Sequence, residues 1–236
     1  MVLGLAAAAV LVWLRPFTAD TAALDVLSAP APGVEVVSSS TRLELRPEEP
    51  SRVGLVFQPG ARVDHRAYAA LLQPYAEAGH LVVVVKQPFF IGFTATGAPA
   101  AVIAEHPEVD SWVVGGHSLG GVAAGSFAAE RARASGGEVD ALLLWGSYPL
   151  GDLSGSGLTV LSVSGSQDGL STPADIEESR ARLPDDATFV EIDGGTHAFF
   201  GDYGEQPGDG TATVGRALAQ QQITDAGVDL LDSLAG

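Results

Sequence analysis

A serine between two glycines is the first feature of this sequence that could carry chemistry. Residues 116–120, Gly-His-Ser-Leu-Gly, place Ser118 in a G-x-S-x-G pattern. The pattern follows an apolar run at 112–114 and precedes an alanine-rich stretch, which is the strand–turn–helix context that makes such a serine a nucleophile. Side chains at Gly116 and Gly120 would collide with neighbouring backbone in so tight a turn. We therefore predict that Ser118 is a nucleophile raised above a sheet edge.

A serine hydroxyl is a weak nucleophile near neutral pH, so a base must lie within hydrogen-bond reach. His197 lies in a glycine-containing stretch directly after the last predicted strand, at 188–192. In strand–turn–helix sites of this kind the chain order is serine, acid, histidine, and His197 is the one histidine late enough in the sequence. His117, next to the serine, is interpreted as a packing or hydrogen-bonding residue. His65, His80 and His106 precede the serine and are interpreted as surface or helix-end residues.

The base needs an acid to orient it, and Asp168 has the best position for that role. It follows the predicted strand 158–163 in a short polar turn, Gly-Ser-Gln-Asp-Gly, at 165–169. A turn aspartate before glycine is also common without any chemistry. The other acids in the right order are Asp140, Asp152, Asp175 and Asp193. Asp140 precedes its strand, and Asp193 is too close to His197 along the chain to approach it from the side.

Acyl chemistry also needs hydrogen-bond donors aimed at the developing oxyanion. One expected donor is the backbone N–H of Leu119, the residue after the nucleophile. The other should come from the loop 58–62, Gln-Pro-Gly-Ala-Arg, which follows the apolar run 53–57. We favour the N–H of Ala61 there, with that of Arg62 as the alternative.

The elements that must position these residues alternate along the chain. Continuous apolar runs, typical of strands buried on both faces of a parallel sheet, occur at 53–57, 81–85, 112–114, 141–145, 158–163 and 188–192. Helical patterns separate or follow them at 65–78, 98–105, 119–133, 173–183 and 213–234. Two alternating runs, 34–38 and 41–45, are typical of antiparallel strands at a sheet edge. The order predicts an α/β fold with a mostly parallel sheet, helices on both faces and no large cap domain.

Composition and charge limit the classes of partner. The chain has 236 residues, which suits one domain. Its formal net charge is −17, from 29 acidic and 12 basic residues. Phosphate binding needs a basic face, so we expect no nucleic-acid partner, and an anionic membrane surface is disfavoured. The absence of cysteine excludes disulfides, thiolate metal sites and a cysteine nucleophile.

The N-terminus carries a separate signal. Residues 2–14 form an almost uninterrupted apolar run that ends at Arg15-Pro16. A helix of this length spans about 20 Å, which is short of a hydrocarbon core and closer to the apolar region of a signal peptide, although no basic residue precedes it. We predict a signal or membrane anchor with a Pro/Gly linker at 1–33, a domain at 34–236, and an extracytoplasmic location. The alternative is an amphipathic or buried N-terminal helix in a cytoplasmic protein.

Four segments together resemble the α/β-hydrolase superfamily, and within it the small branch without a lid that includes dienelactone-hydrolase-like proteins. They are residues 58–62, 116–120, 166–169 and 194–197, and the resemblance extends from about Val53 to the C-terminus. It implies a sheet of eight strands and a Ser-His-Asp triad. Dienelactone hydrolases use cysteine where this chain has Ser118, and a His-Gly pair where it has Pro59-Gly60. Both differences weaken the case for a dienelactone substrate.

The expected function is hydrolysis of an ester, thioester or similar acyl bond of a small molecule, without cofactor or metal. Acyl transfer would use the same residues, and a non-catalytic binding protein on this fold is an alternative from another class. The loops 89–97 and 199–210 should shape the pocket. Asp202, Glu205 and Asp209 in the second loop match no calcium-loop spacing, so we interpret that loop as a rim over the active site.

Overall fold

The computed structural model describes residues 15–88, 95–133 and 136–235, and in them eight strands form one sheet. The strands are β1 (Val34–Ser38), β2 (Arg42–Pro47), β3 (Val53–Gln58), β4 (Leu81–Val85), β5 (Ser111–His117), β6 (Ala141–Trp145), β7 (Thr159–Gly165) and β8 (Thr188–Ile192). Their order is β1-β2-β4-β3-β5-β6-β7-β8. The pairs β1–β2 and β2–β4 are antiparallel and the others are parallel. This confirms the predicted fold class and the antiparallel edge.

Five of the six helices in the described residues match predicted helical patterns, most of them with shorter ends, whereas the first lies in the segment 1–33 and was not predicted. They are α1 (Thr21–Ser28), α2 (Ala69–Glu77), α3 (Ala98–Glu105), α4 (Leu119–Arg131), α5 (Pro173–Ser179) and α6 (Arg216–Leu234). Short 3₁₀ helices at His65–Tyr68 and Arg180–Arg182 form the remaining parts of two predicted helices. Thr172 caps α5: its hydroxyl accepts from the N–H of Asp175, whose carboxylate accepts from the N–H of Thr172.

Two hydrophobic cores lie on the two faces of the sheet. Because successive side chains of a strand point to opposite faces, Leu55 and Phe57 of β3 belong to one core and Val56 to the other. The first core is completed by α2 and α6, and the second by α3 and α4. Burial on both faces of the sheet explains why β3 to β7 contain runs of apolar residues. Each fully buried large apolar side chain contributes roughly 1.5–3 kcal/mol to the stability of the fold.

Residues before Val34 pack on the domain. The N–H of Phe17 donates to the carbonyl of Arg62 at 2.6 Å, and the N–H of Asp64 donates to the carbonyl of Phe17 at 2.9 Å. Ala23 of α1 is fully buried. Packing therefore continues across the boundary predicted at Val34.

The apolar run 2–14 lies outside the described residues. Within residues 15–88, 95–133 and 136–235, no helix has both the length and the apolar character needed to cross a bilayer. The signal or anchor at 1–33, with the extracytoplasmic location, stays a prediction.

Candidate active site

Ser118 lies on the turn between β5 and α4, with φ 53° and ψ −125°. A positive φ is strained for a residue with a side chain and persists only when its surroundings hold it. The N–H of Ser118 donates to the carbonyl of Trp145 at 3.0 Å. Its carbonyl accepts from the N–H of Gly121 at 3.0 Å and from Oγ of Ser147 at 2.7 Å. The backbone of Ser118 is thus held from both sides in the geometry of a nucleophile turn.

The glycines around Ser118 are required by close backbone approach, as predicted. A Cβ atom on Gly120 would lie 2.1 Å from the carbonyl oxygen of Gln58, and one on Gly116 would lie 2.5 Å from the carbonyl carbon of Gly120. A Cβ on Gly121 would lie 2.5 Å from Oγ of Ser147. Cβ atoms do not come so close to backbone atoms, so only glycine permits the turn at positions 116 and 120.

His197 and Asp168 form a buried pair. Nδ1 of His197 lies 2.8 Å from Oδ2 of Asp168, and neither side chain is exposed. The other carboxylate oxygen accepts from the N–H groups of Leu170 at 2.8 Å and Ser171 at 2.7 Å. Because Asp168 accepts at both oxygens, the proton of a neutral His197 lies on Nδ1. Nε2 then carries a lone pair, and it is buried with no hydrogen-bond partner in the part of the chain that is described.

The topology brings the pair to the serine. Ser118, Asp168 and His197 follow β5, β7 and β8, which are parallel strands whose carboxyl ends share one sheet edge. The ring of His197 lies 4.5 Å, between centroids, from the ring of His117, the residue before Ser118. The three predicted residues therefore follow strands that end at one edge of the sheet, and the structure joins two of them, Asp168 and His197, by a hydrogen bond.

The other candidate acids are engaged elsewhere. Asp140 accepts from the N–H of Trp112 at 2.9 Å, at the amino end of β5. Asp175 belongs to the cap of α5. Asp152 accepts from the N–H of Ser154, and Asp193 accepts from Oγ of Ser166 at 3.3 Å. Of the five acids considered, the structure brings Asp168 to His197.

Gly146, after β6, is a site residue that the sequence analysis missed. Its φ is +47°, and a Cβ there would lie 3.1 Å from Oδ2 of Asp168 and 3.2 Å from Nδ1 of His197. The same Cβ would lie 3.2 Å from the ring of Phe200. The acid–base pair thus occupies space that a side chain at 146 would take. The available signal was the dipeptide Gly146-Ser147 after an apolar strand, but nothing in that dipeptide indicated contact with Asp168 and His197.

The predicted oxyanion loop lies against the serine turn. The carbonyl oxygens of Gln58 and Pro59 would be 2.1 and 2.3 Å from a Cβ on Gly120. The N–H of Val63 donates to the carbonyl of Gly60 at 3.1 Å, and Arg62 has φ 64°, so the chain turns tightly here. Leu119 begins α4, whose first N–H groups have no partner within the helix. Leu119 and Ala61, with Arg62 as the alternative, stay the predicted donors.

His117 has the hydrogen-bonding role predicted for it. Its Nδ1 lies 3.0 Å from the hydroxyl of Tyr68, and that hydroxyl accepts from the N–H of Gly60 at 2.8 Å. The hydroxyl of Tyr68 thus joins His117 to the start of the predicted oxyanion loop. Complete burial lowers the pKa of His117 well below its usual value, and the charge of His197 adds to this.

The remaining histidines lie at helix ends, as predicted. His80 follows α2 and lies between Oγ of Ser51 and Oδ1 of Asp232, at 2.9 Å from each. His106 caps the C-terminus of α3. His65 begins a 3₁₀ helix, and burial lowers its pKa to about 4.

The segment after His197 contains the loop 199–210, which was predicted to form a rim. Of the other loop expected to shape the pocket, 89–97, residues 89–94 lie outside the described residues. Arg216 donates through Nη1 to the carbonyls of Ala198 and Gly201, at 3.0 Å each. The carboxylate of Asp202 accepts from Gln220 at 2.8 Å, and that of Asp209 accepts backbone N–H groups. In the described residues no cluster of three acidic or histidine side chains could hold a metal ion.

Comparisons with known proteins identify a family and several solved structures that resemble this chain. A profile of the alpha/beta hydrolase family matches residues 54–222. TT1662 from Thermus thermophilus superposes with a TM-score of 0.63 at 16% identity, over 86% of this chain and 98% of that one. Paleococcus ferrophilus monoacylglycerol lipase gives 0.60 at 16% identity, over 84% and 99%. Thermogutta terrifontis esterase 2, phosphonylated by sarin, gives 0.58 at 15% identity, over 86% and 95%.

No protein with a curated description matches the sequence. The structural similarities, at these identities, show the shared fold. Because the family profile matches well over half of the sequence, the chain belongs to the α/β-hydrolase family. The narrower resemblance to dienelactone-hydrolase-like proteins stays a prediction.

Proposed function

We propose that the protein hydrolyses a carboxylic ester of a small molecule through an acyl-serine intermediate. Ser118 is the nucleophile, His197 the general base and Asp168 the acid that orients it. The observation that carries the proposal is the buried His197–Asp168 pair, whose Nε2 has no hydrogen-bond partner in the described residues and whose ring lies 4.5 Å from that of His117, the residue before Ser118. Family membership and the names of the esterase and lipase neighbours favour an ester over other acyl bonds.

The first half of the reaction forms the acyl-enzyme. Oγ of Ser118 attacks the ester carbonyl carbon while its proton passes to Nε2 of His197. The carbonyl oxygen becomes an oxyanion, which accepts from the N–H groups of Leu119 and Ala61. Asp168 stabilises the resulting imidazolium. When the tetrahedral intermediate collapses, the bond to the alcohol oxygen breaks, and the alcohol leaves with the proton from Nε2.

The second half regenerates the enzyme. Water gives a proton to Nε2 of His197 and its oxygen attacks the acyl carbon. The bond to Oγ then breaks, the carboxylic acid leaves, and Ser118 recovers its proton from His197. No cofactor takes part in this sequence.

A fluorophosphonate probe tests the proposal, because it phosphonylates an activated serine and mimics the tetrahedral intermediate. We expect one probe per chain, on the peptide that contains Ser118, with a parallel loss of p-nitrophenyl ester turnover. Heat-unfolded protein, in which the serine is no longer activated, is the control and should not react. Turnover that continues in fully labelled protein, or a label at another residue that removes activity, would refute the proposed nucleophile.

Replacing Gly146 with alanine tests whether the pair must stay in its present position. The new Cβ would lie 3.1 Å from Asp168 and 3.2 Å from His197, so the pair must shift by a few tenths of an ångström. Since a misplacement of 1 Å costs about 100-fold in rate, we expect kcat to fall roughly 3- to 10-fold. Alanine at a positive φ should also lower the free energy of unfolding by roughly 1–2 kcal/mol. Both are measured by ester kinetics and urea unfolding.

Gly125→Ala is the matched control for Gly146→Ala. A Cβ at 125, inside α4, would lie 3.5 Å from Pro149, an ordinary contact. This variant should keep full activity and gain roughly 0.5–1 kcal/mol of stability. Full activity in Gly146→Ala would show that the pair tolerates displacement.

A further inference from the structure

We propose that Asp209 is a positioning residue that holds the acid and the base of the site in register. The proposal rests on the roles assigned to Asp168 and His197 above. For it we define the acid loop as residues 166–171, after β7, and the base loop as residues 193–200, after β8. Asp209 belongs to neither loop and lies 12 positions beyond His197 in the sequence.

The carboxylate of Asp209 joins the two loops through backbone hydrogen bonds. Oδ1 accepts from the N–H of His197 at 3.1 Å and from the N–H of Gly169 at 3.2 Å. Oδ2 accepts from the N–H of Ala198 at 2.8 Å. Oδ1 also accepts from the N–H of Gly210 at 2.7 Å. The Asp209 side chain therefore binds the backbone of His197 and that of Gly169, the residue after Asp168.

The backbone around Asp209 packs closely against the acid loop. A Cβ on Gly169 would lie 2.6 Å from the carbonyl oxygen of Gly208, and one on Gly210 would lie 1.8 Å from that of Gln167. Side chains at 169 and 210 would therefore push the two segments apart. The N–H of Gln167 also donates to the carbonyl of Gly195 at 2.9 Å, which joins the acid and base loops directly. Asp209 reinforces that junction on the side where Asp168 meets His197.

The charge of Asp209 matters as well as its oxygens. Hydrogen bonds to an ionised acceptor are roughly twice as strong as neutral ones. An asparagine has one carbonyl oxygen for these donors and would turn an NH₂ group towards at least one N–H. A negative charge at the backbone of His197 also stabilises the imidazolium that forms during the reaction. Removing the charge should therefore lower kcat.

The variants Asp209→Asn and Asp209→Ala test the proposal, with Asp186→Asn as the matched control. Asp186 is an exposed carboxylate that precedes β8 and lies outside the acid and base loops. For p-nitrophenyl butyrate we expect kcat to fall about 10- to 100-fold in the Asp209 variants, with KM changed less than about twofold because the residue touches no substrate. Asp186→Asn should keep the wild-type kcat and KM.

Formate gives a readout that a purely structural role would not produce. Asp209 lines a cavity of about 280 Å³ with Thr196, Gln206 and Arg216, so a small carboxylate has space beside its position. Formate should restore part of kcat in Asp209→Ala and should leave the wild type and Asp186→Asn unchanged. A folded Asp209→Asn with wild-type kcat would overturn the proposal. So would loss of folding in both variants, which would assign Asp209 to stability alone.

Ser118→Ala separates the failure of this inference from that of the proposed function. Hydrolysis that survives in Ser118→Ala refutes the proposed function, whatever Asp209 does. Hydrolysis that requires Ser118 but not Asp209 refutes only the positioning role.

Discussion

Replacing Ser118 with alanine should lower kcat for p-nitrophenyl ester hydrolysis by about a million-fold, because the variant has no atom to form the acyl bond. Alanine keeps the Cβ atom and the backbone, so the turn at φ 53° and its hydrogen bonds persist. The free energy of unfolding should stay within about 1 kcal/mol of the wild type. Steady-state kinetics and urea unfolding measure the two quantities.

Ser126→Ala is the matched control for the loss of a hydroxyl. Its Oγ donates to the carbonyl of Val122, one turn earlier in α4. The variant should keep wild-type turnover. A second comparison uses His197→Ala alone and in combination with Ser118→Ala. Because the two residues act as a unit, the double variant should be no slower than Ser118→Ala. Additive losses would show that they act in separate steps, and substantial turnover in Ser118→Ala would remove it from the mechanism.

The parts of this site that the sequence indicated are those controlled by local geometry. Ser118 could be assigned because glycines at 116 and 120 are a local requirement of the turn, and the structure shows the backbone contacts that impose it. Asp168 and His197 could be chosen because parallel strands bring their carboxyl ends to one edge. Chain order and position after a strand were therefore sufficient to find residues that the structure places 2.8 Å apart.

The parts that the sequence did not indicate depend on contacts between distant segments. Gly146 is constrained by residues 22 and 51 positions away, and its neighbourhood carries no motif for that role. Asp209 was considered only as a member of an acidic loop, because its four N–H donors are defined by how three loops meet. The packing of residues 17–31 was missed for the same reason, since a linker composition does not reveal which surface the linker covers.

Replacing Asp168 with asparagine should reduce kcat by about 10,000-fold with little change in fold, because it reverses the tautomer of His197. Oδ1 of Asp168 accepts two backbone N–H groups, from Leu170 and Ser171. The carbonyl oxygen of an asparagine will take that place, which turns its NH₂ group towards Nδ1 of His197. Nδ1 must then accept, the imidazole proton moves to Nε2, and the base has no lone pair for the proton of Ser118.

Asp186→Asn is the matched control, since it makes the same change at an exposed aspartate that lies before β8 and outside the acid and base loops. It should keep wild-type turnover. Nitrogen chemical shifts of His197 distinguish the cause of the loss in Asp168→Asn: a proton on Nε2 supports the tautomer mechanism, whereas an unchanged Nδ1 proton would attribute the loss to displacement of the ring. Turnover within tenfold of the wild type would show that Asp168 does not orient the base, because nothing else in the described site bonds to Nδ1 of His197.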